Sequence, residues 1–118
     1  MVVGAGDTVT ATVRSIGDRR FRLTLVDDTQ GERFSIIETS RAAECNTAEV
    51  IVEAPLDDGL GLADFDPVHF TKCAVDGRPI GAFHWTRIDM YVHTSDVSVD
   101  AQPSALSVDG ASFTVTRR

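Results

Sequence analysis

Two glutamates, Glu49 and Glu53, bracket the apolar run Val50-Ile51-Val52 in the segment Ala48-Glu49-Val50-Ile51-Val52-Glu53-Ala54-Pro55. A carboxylate within reach of water can take a proton from it and return that proton to a leaving amine. Peptide hydrolysis without a metal or a covalent intermediate needs this service. It also needs a preorganised donor for the developing oxyanion, which a neutral amide side chain supplies. An unperturbed glutamate titrates near ~4.3, so a site built on one favours acidic conditions unless burial raises its pKa. On an unbulged strand Glu49 and Glu53 share a face. Taken alone, Glu53 reads as a solvent-facing charge at a strand end, just before Pro55.

Other residue types offer less. His69, His84 and His93, with Cys45 and Cys73, are scattered without ligand spacing, so no metal site is expected. No Gly-x-Ser-x-Gly elbow appears, and Gly4-Ala5-Gly6 does not open a helix, so neither a serine hydrolase nor a phosphate loop is indicated. The acidic stretches Asp57-Asp58 and Asp64 to Asp66 lack the full spaced pattern of a calcium loop. Phe83-His84-Trp85 is the one aromatic cluster; core packing is its expected role, and peptide or carbohydrate binding its alternative. Nothing calls for a cofactor.

The elements that position these groups read as strands. Asp7 to Arg14 alternates Val9, Ala11 and Val13 with threonines, and Gly17-Asp18 makes a turn. Arg20 to Val26 sets Phe21, Leu23 and Leu25 on one face. Asp27 to Gly31 is a hairpin loop, and Glu32 to Glu38 returns with Phe34 and Ile36 inward, completing a meander. Ala48 to Ala54, apolar at its centre, is expected to be a strand buried on both faces and ended by Pro55. A loop from Leu56 to Pro67 follows, then strands Val68 to Val75, Thr86 to Val92 and Phe113 to Arg117. A Gly77 turn, a short strand Ser104 to Leu106 and an Asp109-Gly110 hairpin complete the series. No segment has helical periodicity. The class is all-β, an antiparallel sandwich.

The bulk numbers agree. The chain has 118 residues, suited to one domain, and 42% hydrophobic residues, close to the globular average. Eleven Lys and Arg against 18 Asp and Glu give a net charge of -7, which repels phosphate backbones and anionic membrane surfaces. No nucleic-acid or membrane partner is expected. There is no long apolar run, and the start lacks a signal peptide. Cys45 and Cys73 allow one internal pairing: a disulfide suits a secreted β protein, and two free thiols are the other possibility.

The segment from Ala48 to Glu53 resembles the most diagnostic strand of the eqolisins, the glutamic peptidases, whose pattern is Ala-Glu-Trp-Ile-Val-Glu with the last glutamate catalytic. That position falls on Glu53. Upstream, Gly6-Asp7-Thr8-Val9 and Phe21-Arg22-Leu23-Thr24-Leu25 are similar to the strands leading to it. Downstream, Ala63-Asp64-Phe65 with Val68-His69-Phe70-Thr71 resembles the family's Ala-Asn-Phe-Gly-Thr-Val-Thr-Phe segment. Pro103 to Leu106 and Asp109 to Phe113 resemble its closing hairpin. The resemblance covers nearly the whole chain, in order.

It implies an acid endopeptidase acting on protein or peptide substrates, secreted, with Glu53 as general acid/base. Two departures stand out. Val50 replaces the tryptophan of the pattern, and the partner glutamine, with the substrate-binding tryptophan of the family's first half, has no counterpart. Gln30 lies in a hairpin loop and Gln102 precedes Pro103. Residues 1–118 are therefore expected to form one domain, the C-terminal half of an incomplete, concanavalin-like eqolisin sandwich, inactive alone. Its expected partners are the missing N-terminal half or a second copy joined through open sheet edges. The alternative is a non-catalytic binding or structural module descended from the family.

Overall fold

A computed structural model describes residues 1–53, 64–91 and 100–118. The chain forms two compact units, Met1–Thr47 and Ala48–Arg118. Its sheets are antiparallel, and the only helical element among the described residues is a single 3-10 turn, Ile80–Ala82. The class is all-β, as expected.

The first unit is the meander. Strands β1 (Val9–Ser15), β2 (Arg20–Asp27) and β3 (Glu32–Thr39) pair in that order. Their period-two pattern sets the register: Val13 lies opposite Leu23, which lies opposite Ile36, and Ala11 opposite Leu25, which lies opposite Phe34. One face thus gathers Val9, Ala11, Val13, Phe21, Leu23, Leu25, Phe34 and Ile36. The predicted inward face exists, yet Val13 is 70% exposed, Phe34 47% and Ile36 40%.

The β2–β3 turn rests on Asp27, the most deeply buried side chain described, at 0% exposure. Its Oδ1 accepts the N–H groups of Thr29 and Gln30, both at 2.9 Å. Gly31 closes the turn with φ 73° and an N–H to the Asp27 carbonyl. This is an Asx-type turn, in which the side chain mimics backbone.

In the second unit, β4 (Val68–Phe70), β8 (Phe113–Arg117) and β7 (Ala101–Pro103) form a sheet with β8 central. Val115 pairs with Val68 on one side and Pro103 on the other, and with Ala101 it makes the buried apolar core. Phe70 stacks on Phe113 with ring centroids 4.9 Å apart. The hairpin β5 (Ala74–Val75) to β6 (Arg78–Pro79) turns through Asp76 and Gly77, both at positive φ, as a tight two-residue turn demands.

Several strand expectations need correction. Residues 48–53 form no strand, because a strand exists only where its backbone finds a ladder, and none pairs with it among the described residues. Nor is the run buried on both faces: Ile51 is 46% exposed. Val68 to Val75 is two strands, interrupted where Lys72 takes φ 55°. Among the described residues, the expected strand Thr86 to Val92 contributes only the bridge from Met90 to Ala101, and the closing strand lies at Ala101–Pro103 rather than Ser104 to Leu106. Ala54, Val92, His93, Asp57-Asp58 and residues 56–63 of the expected loop lie outside the described residues.

Within this unit the backbones of Gly81 and Gly110 approach closely. The Gly81 N–H donates to the Gly110 carbonyl at 2.9 Å, and a Cβ on Gly81 would meet the Gly110 Cα at 2.8 Å. Gly81→Ala is expected to destabilise the unit by about 1–3 kcal/mol through overpacking. Gly110→Ala adds a left-handed backbone penalty of roughly 1–2 kcal/mol, since Gly110 sits at φ 69°. A fall in urea midpoint with unchanged slope is the expected readout, and wild-type midpoints would overturn this account.

Candidate active site

The segment carrying Glu53 is extended in its exposure pattern. Val50 and Val52 are half-buried, while Glu49, Ile51 and Glu53 face solvent. Both glutamates are exposed, although the strand that would set them on one face is not formed. The Glu53 side chain is open to water. Val50, standing where the resemblance expects tryptophan, offers less surface beside it.

The two glutamines are engaged elsewhere. Gln30 Nε2 donates to Asp7 Oδ1 at 3.3 Å within the first unit, and Gln102 Oε1 accepts from Arg87 Nη2 at 3.2 Å on β7. Asp7 is held below the usual carboxylate range chiefly by the Gly4 N–H, with Gln30 assisting. Asp109 is lowered likewise, first by the Ser107 hydroxyl and then by the Ala111 N–H. Depressed carboxyls stabilise their turns above the unfolded pKa and lose that contribution as pH falls through the folded one.

The remaining candidates are dispersed. His69 Nδ1 lies 2.9 Å from the Thr114 hydroxyl on the face of β4–β8 away from Val115. Asp64 meets Arg117 at 2.6 Å, an exposed pair worth little. No group of three metal-ligating side chains occurs among the described residues. Cys45 is exposed and Cys73 half-buried; both thiols are free, and burial pushes the Cys73 thiol up. Phe83, His84 and Trp85 do not pack into the core: Trp85 is 49% exposed, and Phe83 lies under the Arg78 guanidinium at 4.9 Å. The 3-10 turn ends at Phe83, and the chain beyond it joins no sheet before Met90. Asp27 reads from the sequence as a plain loop residue, yet it ends β2 and holds the turn; its spacing to Gly31 is the signal that marks the turn.

The Peptidase A4 family profile matches residues 1–116. The chain is similar to the crystal structure of aspergilloglutamic peptidase from Aspergillus niger, with 26% sequence identity and a TM-score of 0.79. That likeness covers all of this chain and 70% of the other. None of the curated proteins matches. The fold class is accordingly the antiparallel β-sandwich of these peptidases.

Proposed function

The chain belongs to the peptidase A4 family, the eqolisins, and from that membership we propose that it is a glutamic endopeptidase domain whose general acid/base is Glu53. The observation carrying this is the family match over residues 1–116; the choice of Glu53 is supported by the resemblance of Ala48 to Glu53 to the family's catalytic strand and by the exposure of its side chain. The carboxylate would activate water for attack on a peptide carbonyl and then protonate the leaving amine. Secretion follows the family; among the described residues no helix is long and apolar enough to cross a membrane.

The oxyanion donor comes from a polypeptide segment outside residues 1–118. Both glutamines of this chain have other hydrogen-bond partners, and 70% of the similar peptidase is what this chain spans. By itself the chain is inactive. The second reading, a non-catalytic module, draws support from Val50 in place of the aromatic residue. Proteolysis of a denatured protein at acidic pH separates the two. The chain is assayed alone and with a complementing segment that carries the family's glutamine strand. Activity only in the mixture supports the peptidase, and none in either supports the module.

A further inference from the structure

The face of the first sheet opposite its apolar side is cationic. Strand register puts Arg14 directly across from Arg22, and Arg22 across from Ile37. Arg20 alternates with Arg22 along β2, about 7 Å away. Arg19 and Arg41 belong to the same end of the sheet, in the β1–β2 turn and just beyond β3. A like-charge pair placed directly cross-strand destabilises a sheet, so its presence calls for a counter-charge.

Among the described residues, Arg14 and Arg22 make no ion pair, and Arg20 reaches Asp18 only at 3.7 Å in an exposed contact. Glu38 stands at this end on the other face of the sheet, and Asp28 accepts from Thr10 at the far end. The rest of the chain cannot account for the pattern by general basicity. Residues 1–47 hold six arginines against seven acidic residues, and residues 48–118 hold five basic against eleven acidic.

We propose that this face, centred on Arg14, Arg20, Arg22 and Ile37, docks a short acidic polypeptide segment in extended conformation. Guanidinium groups pair bidentately with carboxylates. Alternate residues of an extended peptide repeat at the spacing of Arg20 and Arg22, and Ile37, 48% exposed and directly across from Arg22 on β3, offers an apolar contact beside them. A long polyanion such as a nucleic acid is disfavoured, since it must also meet the chain's net charge of -7. A short segment concentrates its charge on the arginines alone. The proposal does not depend on whether Glu53 catalyses.

The test uses the full chain carrying Glu53→Gln, so that binding is read without hydrolysis. A fluorescent peptide alternating Glu with Val is titrated by anisotropy at neutral pH and low salt. Its Gln-for-Glu analogue, a sulfated oligosaccharide and an oligothymidylate serve as competitors. Binding is expected to weaken at least ~10-fold with Arg14→Glu/Arg22→Glu and to be absent for the Gln analogue. Should the Glu pair lose the β circular-dichroism spectrum, Arg14→Gln/Arg22→Gln removes the charge more gently. The proposal is overturned by no binding, by unchanged affinity in folded variants, by equal binding of the Gln analogue, or by tighter binding of the sulfated or nucleotide polymer.

Discussion

Glu53→Gln is expected to lower proteolysis by roughly a hundred- to ten-thousand-fold, the usual contribution of a positioned acid/base, once the glutamine strand is supplied. The substitution keeps the size and removes only the proton-transfer capacity. Because the side chain is exposed and has no hydrogen-bond or ion-pair partner among the described residues, the variant should melt like the parent. Glu49→Gln is the internal control. It is exposed as well but has no catalytic counterpart in the family, and it should retain most activity. Equal losses in both would point to a general electrostatic effect and sink the assignment of Glu53. Activity of the unaided chain, lost in Glu53→Gln, would mean that an oxyanion donor other than a distant glutamine operates.

The second large effect concerns the bare apolar face of the β1–β3 sheet. Fully burying a large aliphatic or aromatic side chain contributes about 1.5–3 kcal/mol. Val9, Val13, Leu25, Phe34 and Ile36 each leave a third or more of their surface in water. Covering them is worth on the order of 4–8 kcal/mol, comparable with the lower range of what association costs, roughly 4–15 kcal/mol. The β1 and β3 edges add unpaired backbone groups, since within this sheet each pairs only with β2. The chain is therefore expected to self-associate in a concentration-dependent manner by sedimentation velocity. Val13→Thr/Phe34→Thr/Ile36→Thr should shift it toward monomer without emptying a packed interior. A monodisperse parent monomer at its highest soluble concentration, with a cooperative melt, would rule this out.

What could be read in advance follows from which interactions are local. The meander was legible within two residues at each end, because period-two alternation and nearby turn residues specify both strands and register. The segment around Glu53 was legible as a motif and not as a strand. Its pattern of Val and Ile is that of a buried strand, but pairing depends on a distant partner that no local pattern reveals. The break at Lys72 was invisible for another reason: lysine carries no signal for positive φ, unlike the Asp76-Gly77 turn, which was anticipated. The proposal of Glu53, and of a glutamine supplied from elsewhere, rests on the family resemblance and not on strand pattern. The arginine face needed registered strands, since Arg14 and Arg22 are eight residues apart in sequence and neighbours only across the hairpin.

One thiol stands in each compact unit, and their unequal surroundings give them separate clocks. Cys45 is at the surface, while Cys73 is half-buried, its protonated form favoured by desolvation and its N–H tied to Ala111. Alkylation at neutral pH should strike Cys45 first and Cys73 only as the turn before β5 opens. Intact mass then shows two steps separated by a lag, and urea shortens that lag as the second unit loosens. Steps that coincide in native buffer would mean that the Cys73 turn is already open. The Cys73 step thus times the opening of the second unit, with the Cys45 step as the mark of unhindered reaction.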